Sequence, residues 1–235
     1  MAVYNNKVIF FVGGLNLIDV VFVEWILSEG AREVRILGEN ETAVQALRET
    51  LSSAMPLGTS KTFELSTLNQ KLRFFVGDIS DNAYMAEAMS SVDYVVYVPS
   101  PPRAFDCEVA PAECTVTFLE TVTGVIHTAT DCGVKKLLVV SPNTSFILPH
   151  PSSISKMPAL LAALIQNVVV AEARYQGPDA ATTICFTPLD ADLKLETRNL
   201  KLIGFAFDTA VNGDVIIRQD DSFERIPCEN FEMRR

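Results

Sequence analysis

Unbroken apolar runs alternate along the chain with stretches of helical spacing. Lys7-Val-Ile-Phe-Phe-Val12 is a continuous β-branched and aromatic run, the pattern of a strand covered on both faces. From Leu17 the apolar spacing turns helical and closes on Gly30, a helix stop signal. Further strands are predicted at Glu33–Leu37, Leu72–Val76, Val92–Val98, Lys136–Val140 and Thr182–Phe186. Helices over Thr42–Ser53, Asn82–Met89, Thr115–Cys132 and Met157–Tyr175 fall between them, with Met55-Pro-Leu-Gly-Thr59 breaking the chain after the first. A helix over Leu200–Val211, a short strand at Val215–Ile217 and a polar acidic tail follow. The most linker-like places are Pro99-Ser-Pro-Pro102, Pro149-His-Pro-Ser152 and Pro188 to Arg198. Strands that alternate with helices need crossover connections, so the expected fold class is α/β with a doubly wound parallel sheet.

Composition narrows the picture. The chain has 235 residues, 49% of them hydrophobic and 20% charged, which excludes a disordered or collagen-like protein and leaves ample length for a core. A formal net charge of −10 argues against nucleic acid or a membrane surface as partner, since both are met with Lys and Arg. Cys107, Cys114, Cys132, Cys185 and Cys228 are odd in number and form no CxxC pair, so they read as reduced, mostly buried thiols, with no metal site. The most apolar stretch, Val8 to Leu27, is interrupted by Gly13, Gly14, Asn16, Asp19 and Glu24, leaving no run of the ~18 apolar residues that a membrane span needs. Neither a basic start nor a cleavage site of the signal-peptide kind is evident, and the expected localisation is cytoplasmic.

In a doubly wound sheet the first strand–helix turn is the usual phosphate cradle. Here it reads Val12-Gly-Gly-Leu-Asn-Leu-Ile-Asp19. A G-x-x-G-x-x-G cradle uses one glycine for the tight turn, one for close approach to a pyrophosphate and one for helix-on-strand packing. Gly13 fits the first place, while Asn16 and Asp19 stand in the second and third. Asn tolerates a left-handed backbone. A carboxylate at Asp19 would face a dianion, and two unit charges ~4 Å apart repel by about 4 kcal/mol at an effective dielectric of ~20, enough to erase a micromolar affinity. Asp19 otherwise caps the positive end of its own helix.

On these residues the sequence resembles the extended short-chain dehydrogenase/reductases, most closely the inverting UDP-N-acetylglucosamine 4,6-dehydratase or capsular-polysaccharide branch. Gly13-Gly14 and Glu33-Val-Arg-Ile36 match its opening T-G-G-x-G-x-x-G and E-[VI]-R-I elements. Phe74-Phe-Val-Gly-Asp-Ile-Ser-Asp81 matches its F-x-x-G-D-[IV]-R-D strand end, and Val92-Asp-Tyr-Val-Val-Tyr-Val98 part of its V-D-x-[VI]-x-H-x-A-A strand. Cys132-Gly-Val-Lys-Lys136 and Ala210 to Ile217 match two later elements. The resemblance implies a Rossmann-like domain over 1–187, with a truncated extension over 188–235 packed on it. It also implies NAD or NADP as cofactor, held by Gly13, Gly14, Asn16, Glu39, the Asp78-Ile79 pair beside the adenine, and Lys156. Glu39, after the second strand, favours NAD.

The family's catalytic positions mostly do not carry over. Its fifth strand ends S-T-D-K, and a Y-x-x-x-K motif follows. Here Ser141 and Lys156 match, whereas Pro142, Asn143 and Thr144 replace the threonine, acid and lysine, and Ser152 replaces the tyrosine. The family reaction needs a base to take a hydroxyl proton as hydride leaves, then an acid–lysine pair to expel water. Serine offers no accessible phenolate and Asn143 shuttles no proton. The segment that builds the nucleotide-sugar pocket shrinks to Pro188–Asn199, and the loop under the nicotinamide becomes Pro99-Ser-Pro-Pro102, poor in backbone donors. The expectation is a degenerate NAD(P)-binding-fold protein without dehydratase activity, its cofactor binding weak or lost, acting as a binding or assembly module. The alternative is an active enzyme on a nucleotide sugar, with Ser141, Ser152 and Lys156 as a displaced proton relay.

Other constellations add little. His127 reads as a packed helix residue, and His150 lies between prolines with no partnering acid. Asp190, Asp192 and Glu196 read as a solvated acidic loop. The family's helices suggest a homodimer, or a heterodimer with an active paralogue, through Thr115–Cys132 and Met157–Tyr175.

Overall fold

The computed structural model describes residues 4–13, 23, 26–53, 70–99, 109–142, 164–165, 167–169, 171–173, 175–176, 182–189, 215–219 and 222–226. Six strands, β1 (Val8–Val12), β2 (Glu33–Gly38), β3 (Leu72–Val76), β4 (Tyr94–Tyr97), β5 (Lys136–Pro142) and β6 (Thr183–Leu189), form one sheet in the order β3-β2-β1-β4-β5-β6. Every neighbouring pair is parallel, with Val8 opposite Glu33 and Ile9 opposite Tyr94. The order reverses between β1 and β4, which opens a crevice beyond their carboxyl ends.

Three helices are defined end to end: α1 (Glu41–Ser53), α2 (Asn82–Met89) and α3 (Pro111–Asp131). Strand alternation sends Phe10, Val95 and Leu137 to one face, where Met85 and Met89 of α2 and Phe118, Val122 and Ile126 of α3 cover them. Ile9, Phe11 and Ile36 are equally buried and fall by the same alternation on the other face. Residues 164–176 include helical positions, of which Ile165, Val169 and Ala173 join the α3 side of the core. No helix among the described residues is long and apolar enough to cross a membrane.

Several expectations need correction. α3 starts at Pro111 and not Thr115, because a proline at the first helical position fixes a helical φ and forgoes only an N–H that has no intrahelical partner there. Where a polar tail was expected, Ser222–Ile226 forms β8, antiparallel to β7 (Val215–Gln219), and β7 lies beside β6. His127 is not packed: its imidazole is exposed and sits 3.0 Å from the Glu172 carboxylate. Cys114 is disulfide-bonded, to a partner beyond the described side chains, where all five cysteines read as reduced; spacing carries no information on a pairing made across space. Cys132 is free, and burial, with Asp131 beside it, pushes its thiol up. The predicted Leu200–Val211 helix lies outside the described residues.

Polar residues fasten the apolar framework. Arg35 on β2 is buried and donates from Nη1 to the carbonyls of Ala88 and Ser90, each at 2.8 Å, at the carboxyl end of α2. Its Nε donates to Glu33 at 2.7 Å.

At the amino edge of the sheet Asp93 accepts the Val8 N–H at 3.0 Å and the Lys135 ammonium at 2.6 Å, with Lys7 at 3.6 Å. Burial pulls the Asp93 carboxyl up, but the Lys135 and Val8 bonds and the charges of both lysines outweigh it and hold it below the ordinary range. The lowered group stabilises the fold above its unfolded pKa of about 4, and that contribution is lost as pH falls through the folded value. The Asp93 bond raises Lys135, whose contribution is complete below its ordinary value and lost as pH rises through the folded one. Asp93→Asn should therefore cost about 1–2 kcal/mol at neutral pH and almost nothing near pH 2. Thermal melts across that range check it, and an unchanged difference at both ends contradicts it.

Candidate functional site

The candidate site lies at the carboxyl edge of the sheet, where β1, β2, β3 and β4 end side by side. β1 delivers the chain into Gly13, which takes φ +75, a conformation that L side chains rarely adopt. A Cβ there would run into the carbonyl oxygen of Val98, and it would stand 3.8 Å from Cε2 of Tyr97. The Val98 N–H in turn donates to Val12 at 2.9 Å, so the first turn is clamped against the end of β4. Such a cradle, open only to a residue without a side chain, fits close backbone approach to a phosphate.

β2 ends in Gly38, and Glu39 follows it, exposed at the same edge. Asn40 then starts α1 by accepting the Ala43 N–H at 2.8 Å, which fixes the strand–helix turn carrying Glu39. β3 ends in a similar device. Gly77 leaves room for the ring of Tyr84, whose Cδ1 would lie 2.7 Å from a Cβ there, and the Tyr84 hydroxyl accepts the Val76 N–H at 3.1 Å. Asp78 accepts the Ser80 N–H at 2.8 Å, and Asp81 caps α2 through the Tyr84 N–H at 3.0 Å. The backbone and hydroxyl bonds from Ser80 hold the Asp78 carboxyl below the usual range, against the pull of burial, so it is an anion at neutral pH. Asp78 is exposed and Ile79 half-buried.

The structure thus brings Gly13, Glu39, Asp78 and Ile79 to one edge. A dinucleotide fits this set in part. The cradle suits its phosphates, the Glu39 carboxylate suits ribose hydroxyls, and the Asp78-Ile79 turn offers a surface for a base. Ser141 lies in β5 opposite Pro188, and Pro142 extends the strand to Leu189. Gly14, Asn16, Asp19, Asn143, Thr144, His150, Ser152, Lys156, Asp190, Asp192 and Glu196 lie outside the described residues. Tyr97, the last residue of β4, received no role from the sequence.

The strand order, the switch point and the left-handed glycine define a Rossmann-type α/β domain. Within that class the chain belongs to the polysaccharide biosynthesis protein family, whose model matches residues 9–155. It is similar to the UDP-glucose 4-epimerase of Rickettsia conorii, at 24% identity over 188 residues, covering 78% of this chain and 48% of that protein. Among solved structures it is similar to Pen from Bacillus thuringiensis, with TM-score 0.62 and 22% identity over 79% of this chain and 51% of the other. DesIV, a dTDP-glucose 4,6-dehydratase from Streptomyces venezuelae with NAD and TYD bound, aligns with TM-score 0.52 and 21% identity, covering 77% of this chain and 55% of the other. At such identities the structural likeness speaks for the fold alone. The chain spans about half the length of the curated relatives it matches.

Proposed function

We propose that this protein is a catalytically degenerate relative of the nucleotide-sugar dehydratases and epimerases, holding a dinucleotide weakly and acting as a binding or assembly module. The observation that carries this reading is the end of β5. Where the resemblance puts a threonine that begins the catalytic run, the chain has Pro142, still paired in the strand with Leu189. Proline supplies neither a hydroxyl nor an N–H at that position. The substitutions at Asn143, Thr144 and Ser152 extend the loss, since none of them replaces the acid, lysine or phenol with a group that titrates in the working pH range. The cradle at Gly13 supports retained nucleotide contact, and NAD over NADP follows from the carboxylate of Glu39.

Assembly rests on α3 and the helical residues of 164–176. The His127–Glu172 contact and a 2.8 Å bond from Gln176 to Thr130 tie these two elements together. Val116 and Tyr175 remain exposed on them, and Val109 just before α3, which supports docking of a second copy or of an active paralogue.

One preparation tests the reading. Calorimetry with NAD should show no micromolar binding, a panel of UDP-sugars with added NAD should show no turnover, and light scattering should give a dimer mass. Turnover that Lys156→Ala abolishes would establish the displaced-relay alternative, and micromolar NAD affinity would remove the case for a weakened site.

A further inference from the structure

α3 begins with two turns that the core barely holds. From Pro111 to Thr117 every residue is exposed or half-buried, and Phe118 is the first whose side chain is buried. Ala110, at the N-cap, makes no side-chain hydrogen bond to the N–H groups of the first turn. The apolar side chain of these turns that packs against the core is Cys114, half-buried and disulfide-bonded. Cys132, at the other end of the helix, is free. It stands ~27 Å away at the helical rise of about 1.5 Å per residue, beyond the ~7 Å that a disulfide spans. The partner of Cys114 is therefore Cys107, Cys185 or Cys228, and each choice ties the start of α3 to chain outside the helix. The exposed Val109 and Val116 flank the tied residue.

We propose that this disulfide is a redox-controlled fastening: closed, it holds the first two turns of α3 in place, and reduced, it releases them together with the exposed Val109 and Val116. A dithiol supplies the two electrons. One of its thiolates attacks a sulfur of the bond, and the displaced cysteine leaves as a thiolate and takes a proton. The second thiol then closes the reagent into its own disulfide and frees the other cysteine. Cys132 stays out of the exchange: its Sγ lies 3.7 Å from the Ala86 carbonyl, and burial keeps the thiol protonated. From Phe118 onward α3 is held by core packing, so the release ends there. The effect on assembly rests on the reading that this helix docks a partner chain.

The test compares the full chain oxidised with glutathione disulfide and the same chain reduced with dithiothreitol, by hydrogen exchange read on peptides, with light scattering alongside. Reduction should speed amide exchange over residues 114–118 about tenfold or more and leave β4, β5 and the rest of α3 unchanged. Cys114→Ala should exchange like the reduced chain and ignore dithiothreitol, whereas Cys132→Ala should respond as the parent does. The reduced chain should also dimerise about tenfold or more weakly. Unchanged exchange on reduction would overturn the proposal. So would protection lost across the whole sheet, which would make the bond a staple of the entire fold, or a Cys114 found as a thiol on peptide mapping of the oxidised chain. If both states are monomeric, the assembly reading falls and the exchange result still decides the fastening. A dimer indifferent to reduction, in a chain whose exchange responds, overturns the control of assembly.

Discussion

Gly13→Ala should be among the most destabilising single-methyl additions this chain can receive, lowering Tm by about 10 °C or more. Two costs combine. The first is conformational: an L residue at φ +75 loses roughly 1–2 kcal/mol. The second is steric. The added methyl meets the Val98 carbonyl oxygen, which is backbone and cannot rotate away, and the same residue's N–H is bound to Val12 at 2.9 Å. Relief requires β1 and β4 to separate where their ladder ends, adding about 2 kcal/mol or more. Gly133 supplies the control. It takes φ +70 with nothing within 4 Å of where an added Cβ would stand, so Gly133→Ala should show the conformational cost alone, about 1–2 kcal/mol. Denaturant unfolding of both variants decides the matter. Equal losses would mean that the first turn does not press on β4, and the cradle geometry would have to be abandoned. If the cradle holds, Gly13→Ala should also remove whatever nucleotide affinity the chain retains, since relieving the clash with the Val98 carbonyl displaces the backbone that would approach the phosphate.

The parts of the fold that are legible in the sequence are those where one physical demand acts alone. β1, β3 and α2 match their predicted bounds to within a residue: β1 is buried on both faces and so apolar throughout, β3 is an apolar run broken only by exposed Arg73, and α2 is bounded by its Asp81 cap. The start of α3 reads late because apolar spacing marks where a helix is buried, whereas Pro111 marks where it begins. β8 escapes the pattern because Ser222-Phe-Glu-Arg-Ile226 sets its two apolar residues three apart with two charges between them, which lacks the alternation of a strand and reads as a tail. The candidate site is legible by position and not by contact. Gly13, Glu39 and Asp78 lie at strand ends, and a parallel sheet gathers strand ends without any local signal. That Tyr97 backs onto Gly13 and that Arg35 spans from β2 to α2 are facts of three-dimensional proximity. The Glu33-Val-Arg-Ile36 match marks Arg35 as a motif member while leaving its task unseen.

That task makes Arg35→Met the second large expected effect. The replacement keeps most of the aliphatic volume between β2 and α2 and removes the guanidinium. The Ala88 and Ser90 carbonyls, at the end of α2 where no further helical N–H is available, then lose their donor. The two acceptors differ in cost: the Ala88 bond is buried and the Ser90 bond only partly so, and Glu33 is exposed enough to rehydrate. We expect a loss of about 2–4 kcal/mol, a Tm lower by roughly 4–16 °C, and faster amide exchange confined to α2 and the start of β4. Arg35→Lys should fall between the two, because one ammonium cannot reproduce a planar fork that meets two carbonyls and a carboxylate at once. Buried ionic groups elsewhere have been replaced by apolar ones with a gain in stability, so the opposite sign is physically available. A Met variant as stable as the parent would mean that desolvation of the guanidinium already cancels its three bonds. The link from β2 to α2 would then rest on Leu37, Met85 and Met89 packing alone.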